Sequence, residues 1–199
     1  MKSNVCLLTQ NASFDQDILH EIEKTAKYNG LDSKSTLRLT LLSEELIGML
    51  PNLAETSDGQ FWVENEDQAY SLHALFTMVD RTLATDDTLL ALSSTGKNAA
   101  AKGVVGKIRS FIDRITLPEG GAFFRDYAIF SSGMIDYGMG YAHCWSLNQY
   151  TLKVMAQEQS EEKEDAWDEL EKSVITKLAD DVIVGIQGSQ VEIIVKKTF

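Results

Sequence analysis

Between residues 39 and 79 the apolar pattern changes its period, and that change most restricts the folds open to this chain. Leu39, Leu42, Leu46, Met49, Leu50 and Leu53 recur at three- and four-residue steps, the spacing of a helix with one broad buried side. From Gln60 the period becomes two. Gln60–Glu64 and Ala69–Val79 read as strands joined by the polar turn Asn65–Gln68. In the second strand Tyr70, Leu72, Ala74, Phe76 and Met78 share one face, while Leu75 and Val79 make the other apolar as well. A strand apolar on both sides belongs at the centre of a sheet. A helix with one buried side beside such a strand implies helices layered on a sheet.

The flanking segments extend this picture. Ser13-Phe-Asp-Gln16 has capping-box spacing, Phe14, Ile18 and Ile22 follow at helical steps, and Gly30 is a natural stop. The second helix should then begin near Asp32 or Ser33. Beyond the strands, helices are expected near residues 86–92 and 98–115, a strand at 122–130, and a glycine-rich turn region at 131–141. Two more helices, 144–157 and 164–178, precede a closing hairpin of 182–186 and 191–197 around Gln187-Gly-Ser-Gln190. Elements come in runs, not in strict βαβ alternation. The expected class is therefore α+β, a two-layer sandwich with helices on one face of a mixed, mostly antiparallel sheet. With two prolines, no repeat and no linker-like stretch, residues 1–199 read as one domain.

Composition removes several function classes. Thirty acidic residues against eighteen Lys and Arg give a net charge of −12, which opposes general nucleic-acid binding and docking on anionic membranes. No stretch approaches the ~20 apolar residues of a membrane span, and the first ten residues do not form a secretory signal. Cys6 and Cys144 are too few for a disulfide framework or a cysteine-rich zinc site. A reduced, cytoplasmic protein is expected. His20, His73 and His143 are read as packing or turn residues, and His143 beside Cys144 is two donors short of a tetrahedral metal site.

Three constellations carry chemistry. The first is Ser43-Glu44-Glu45-Leu46-Ile47-Gly48, acids on a strongly apolar helix. The second is Asp80, which ends the second strand 36 residues after Glu44. Asp136-Tyr-Gly138-Met-Gly140 is its rival, and otherwise reads as a turn. The third runs from Ser93-Ser-Thr-Gly96-Lys97 through Lys102, Gly103, Gly106, Lys107 and Arg109, with four basic residues and no acid from Lys97 to Arg109. It passes from a polar loop into a helix, where free N–H groups favour anions. It also reads as an amphipathic helix burying Val104, Val105, Ile108, Phe111 and Ile112.

Helix, apolar helix with a mid-helix Glu, polar loop, then two strands: this order resembles the N-terminal half of the histidine kinase-type ATPase superfamily (GHKL, or Bergerat fold). The anti-sigma-factor serine kinases look closest, through their Ser-Glu-Ala-x-x-Asn pattern. The resemblance covers roughly residues 10–115, with the final hairpin as closing strands and residues 116–180 as an elaboration. It implies ATP as ligand and Mg²⁺ as its companion, with Glu44 preparing the attacking water. It also implies that Asp80 or Asp136 holds the adenine amino group, and that Gly96, Lys97, Lys102, Gly103 and Gly106 line the phosphates. The family's magnesium-binding Asn falls at Gly48, and the glycines of its Asp-x-Gly-x-Gly are missing after Asp80. Two functions follow as expectations: an ATP-binding regulatory protein with weak or absent hydrolysis, or a pseudo-ATPase interaction module that binds no nucleotide. A regulatory protein partner and a homodimer are the associations expected.

Overall fold

A computed structural model describes residues 1–8, 14–53, 59–78, 103–116, 143–156 and 161–199. Strand β1 (Cys6–Leu8) leads to helices α1 (Phe14–Tyr28) and α2 (Ser33–Leu53), then to strands β2 (Gly59–Glu66) and β3 (Ala69–Thr77). Helix α3 (Gly103–Thr116) follows. Strand β4 (His143–Ser146) runs into α4 (Leu147–Ala156), succeeded by α5 (Glu161–Lys172) and α6 (Val174–Leu178). Strands β5 (Asp181–Gln187) and β6 (Gln190–Thr198) close the chain.

The six strands form one sheet in the order β1-β2-β3-β6-β5-β4, and every described pairing is antiparallel. The class is α+β, as expected, with helices layered on the sheet. β3 lies at the centre between β2 and β6, in register with β6 from Ala69↔Thr198 to Thr77↔Gln190. Period two then sorts the side chains. Phe61, Val63, Tyr70, Leu72, Ala74, Phe76, Val182, Val184, Val191 and Ile193 face the helices, where Ile18, Ile22, Leu39, Leu42, Leu46, Ile108 and Ile112 meet them in one core. The opposite face carries a narrower buried row, in cross-strand order Trp62, His73, Ile194, Ile183 and Ser146. A central strand covered on both faces is what its doubly apolar pattern predicts.

Local chemistry fixes the boundaries. α1 ends in a Schellman arrangement: Gly30 N–H donates to Lys27 O and Leu31 N–H to Ala26 O, with Gly30 at φ 69°. Asp32 then caps α2, its carboxylate accepting from the N–H groups of Lys34 and Ser35 and from the Ser35 hydroxyl. The closing hairpin turns on Gly188 at φ 61°, a conformation that glycine adopts without steric cost.

Three expectations are corrected. β1 was not anticipated; it is three residues long and exists by pairing with Gly59–Phe61. The helix expected over 144–157 begins only at Leu147, because His143–Ser146 pairs with Ile183–Ile186 as an edge strand. Ser146 marks the switch: its hydroxyl accepts from Gln149 N–H and donates to Asp181, whose carboxylate also accepts from Asn148 N–H. The helix expected over 164–178 divides at Ser173, which caps the short α6. The capping box at Ser13, the helix near 86–92 and the features at 117–141 lie outside the described residues.

α2 is the helix that joins the layers, touching α1, α3, α6, β3 and β6. Leu42 sits at its centre, fully buried. Replacing it with Ala should cost about 2–5 kcal/mol, from lost transfer energy and a residual cavity. Urea unfolding measures this directly, and a loss below about 1 kcal/mol would contradict the packing.

Candidate functional site

α2 sorts its residues sharply. Leu39, Leu42, Leu46, Met49, Leu50 and Leu53 are buried, and the Ser43 hydroxyl is buried too, donating to Leu39 O at 2.8 Å. The opposite stripe, Leu37, Leu41, Glu44, Gly48 and Pro51, is exposed. Steps of four and three residues place these five side by side. Glu44 and Gly48 are therefore neighbours one turn apart on an open face, and Glu44 makes no hydrogen bond or ion pair among the described residues. A free, exposed carboxylate can accept a proton or order a water. Glu45 is half-buried and, one residue on, points about 100° away.

This face does not suit magnesium. Mg²⁺ needs near-octahedral oxygen ligands. Gly48 has no side chain, and nothing lies within 4 Å of where its Cβ would stand. Met49 is a poor ligand by its chemistry and is turned into the core, 5% exposed. Among the described residues no cluster of three or more His, Cys, Asp or Glu could hold a metal ion.

α3 packs on α2. It opens at Gly103 with φ 75°, buries Val104, Ile108, Phe111 and Ile112 against the core, and leaves Val105 half-buried. Two of its basic residues, Lys107 and Arg109, are engaged. Lys107 Nζ lies 5.6 Å over the ring of Tyr150, and Arg109 pairs with Asp113 at 3.7 Å. Between Gly103, Val104, Lys107, Tyr150, Ala166 and Leu170 lies a shallow crease with no enclosed volume even for a water molecule, unlike a small-molecule pocket. Gly106 is buried. The structure thus brings the helices bearing Glu44, Gly103 and Gly106 into contact. Asp80, Gly96, Lys97, Lys102 and Asp136 lie outside the described residues.

One polar cluster was not foreseen. On the sheet face away from the main core, His73 is buried, with Nδ1 2.7 Å from Glu192 Oε1 and Nε2 3.8 Å from Glu64 Oε2. The ring stacks on Trp62, centroids 4.8 Å apart and planes 10° off parallel. Trp62 Nε1–H donates to Glu64 at 2.9 Å. Lys2 Nζ closes the group, 3.3 Å from Glu64 and 4.1 Å over the Trp62 ring. Burial alone would raise the Glu64 carboxyl, but Trp62, His73 and Lys2 together hold it below its ordinary value. Period two puts these residues on one face of their strands; only the register Trp62↔His73 and His73↔Ile194 makes them neighbours.

Cys144 sits where its thiolate is disfavoured. Desolvation first, and Asp181 second, push its thiol up to about 11, although the residue has an exposed edge. The thiolate is the reactive form. Alkylation of Cys144 in a Cys6→Ser background should therefore rise about tenfold per pH unit from neutrality to near pH 11. Peptide mass measurement reads it, and a plateau below about pH 9 would show an activated thiol instead.

Among the described residues no helix is long and apolar enough to cross a membrane. Comparison with protein-family models, with curated proteins and with solved structures gives no match for this chain.

Proposed function

We propose that this chain is an ATP-binding regulatory protein of the histidine kinase-type ATPase kind, working in a bacterial cytoplasm with weak or absent hydrolysis. One observation carries the reading: Glu44, the acid that the resemblance singles out, stands free on the open face of α2, with an unobstructed position one turn on. The order β1-α1-α2-β2-β3 and the closing β5–β6 hairpin are compatible with it. On this reading Glu44 orients water, and Asp80 or Asp136 accepts a hydrogen bond from the adenine amino group. The segment from Gly96 to Gly106 supplies N–H groups and lysines to phosphate oxygens. Hydrolysis is weak because phosphoryl transfer rests on positioning and charge neutralisation, and Gly48, one turn after Glu44, offers no side-chain ligand for a metal.

A second reading has its own support. Leu37 and Leu41 are exposed on the same stripe as Glu44, and apolar side chains on an open helix face suit a protein partner or a second copy of the chain. On that reading the fold is kept as an interaction module without nucleotide.

Thermal melting separates the two. ATP or ADP at a hundred times its Kd should add ~2.7 kcal/mol, raising the midpoint by roughly 5–10 °C for a chain of this length. No shift at millimolar nucleotide rejects the ATP-binding reading and leaves the interaction module. If the shift is present, Asp80→Ala and Asp136→Ala should differ, and only the true adenine partner should abolish it. Equal loss in both, or in neither, contradicts the assignment.

A further inference from the structure

The exposed stripe of α2 has the layout of a helix-pairing seam, and its use as one rests on the interaction-module reading above. Lys34, Leu37, Leu41, Glu44, Gly48 and Pro51 are all exposed. They recur at alternating steps of three and four residues, the spacing of a coiled-coil seam, on the side turned away from the core. Arg38 and half-buried Glu45 flank the seam on one side, half-buried Thr40 and Ile47 on the other. Leu37 is 58% exposed, and Arg38, Glu44 and Glu45 form no ion pair among the described residues. We infer that a second copy of the chain docks on this stripe, α2 against α2 in antiparallel order about a two-fold axis.

The stripe is complementary to itself in that order. A two-fold axis makes every contact reciprocal. With the axis between Leu41 and Glu44, Leu37 meets the partner's Gly48 and Leu41 meets the partner's Glu44. Nothing lies within 4 Å of a Cβ built at Gly48, so the leucine has room to seat. On the flanks Arg38 stands opposite the partner's Glu45, twice by symmetry, and flanking charges of this kind set partner and orientation. Parallel order would instead set Glu44 against the partner's Glu44 and Arg38 against the partner's Arg38, and facing like charges are costly. The net charge of −12 opposes self-association at long range. Screening over ~8 Å at physiological salt leaves the facing pairs to decide the fit.

Sedimentation equilibrium of the full chain, from about 1 to about 100 μM, tests the pairing with Arg38→Glu and Glu45→Arg. The parent should reach twice its 22.1 kDa mass. Either reversal alone should weaken the dimer about tenfold or more, because it sets two like-charged pairs face to face. The melting midpoint of each dilute variant should stay at the parent's value. An equimolar mixture of the two variants should recover the parent's affinity. In it the introduced carboxylate of one chain faces the introduced guanidinium of the other, and the two native charges face each other. A parent that stays monomeric at every concentration overturns the inference. The interaction-module reading survives that result, and falls only if nucleotide raises the melting midpoint. A parent dimer indifferent to both reversals, or a mixture that fails to rescue them, overturns the antiparallel pairing.

Discussion

The pairing of β3 with β6 is the contact on which the rest of the molecule depends. It joins Ala69–Thr77 to Gln190–Thr198 over nine register pairs, across more than a hundred residues of sequence. Each half alone is a three-stranded sheet, β1-β2-β3 or β4-β5-β6, with β3 or β6 left as an open edge, and such an edge exposes a row of unpaired N–H and C=O groups. Once joined, Leu72 meets Val195 and Ala74 meets Ile193, giving a continuous apolar surface broad enough for α2 and its neighbours to cover. Contacts this distant in sequence are slow to form, because loop closure precedes their reward. The hairpins are therefore expected to form before the sheet is complete.

That long-range register also explains what was legible in the sequence and what was not. α1, α2 and the two hairpins were readable because each carries a strong period and its own boundary residues, such as Gly30, Asp32 and Gly188. β1 and β4 were not, because three or four residues have no measurable period and are strands only by virtue of a partner. Ser146 and Ser173 were signals that could have been used. Each is a serine standing immediately before a run with helical spacing, where a capping hydroxyl separates what looked like one helix from what precedes it. The cluster of His73, Glu192, Glu64, Trp62 and Lys2 was beyond sequence reasoning altogether. Its members come from four segments, the N-terminus, β2, β3 and β6, and nothing in their spacing says that they meet.

The candidate site was legible in half. That Glu44 is special could be argued from its place on an apolar helix, and the structure adds that it stands exposed beside Gly48. The basic segment reads differently with the helix in view: Lys107 and Arg109 are engaged with Tyr150 and Asp113, so their charge is partly spoken for within the chain. In a molecule of net charge −12, a phosphate-bearing ligand would be attracted locally and repelled at longer range. Binding of that kind weakens less with added salt than a polyanion site does, because few counterions are released.

Hydrogen exchange of the full chain with and without saturating ATP addresses the central claim most directly, since it asks where the ligand sits. The account predicts slowed exchange in α2 around Leu41–Gly48 and at the start of α3 around Gly103–Lys107, with β2 and its Trp62–His73 face unchanged. Protection confined to that opposite face, or absent from α2, would contradict it.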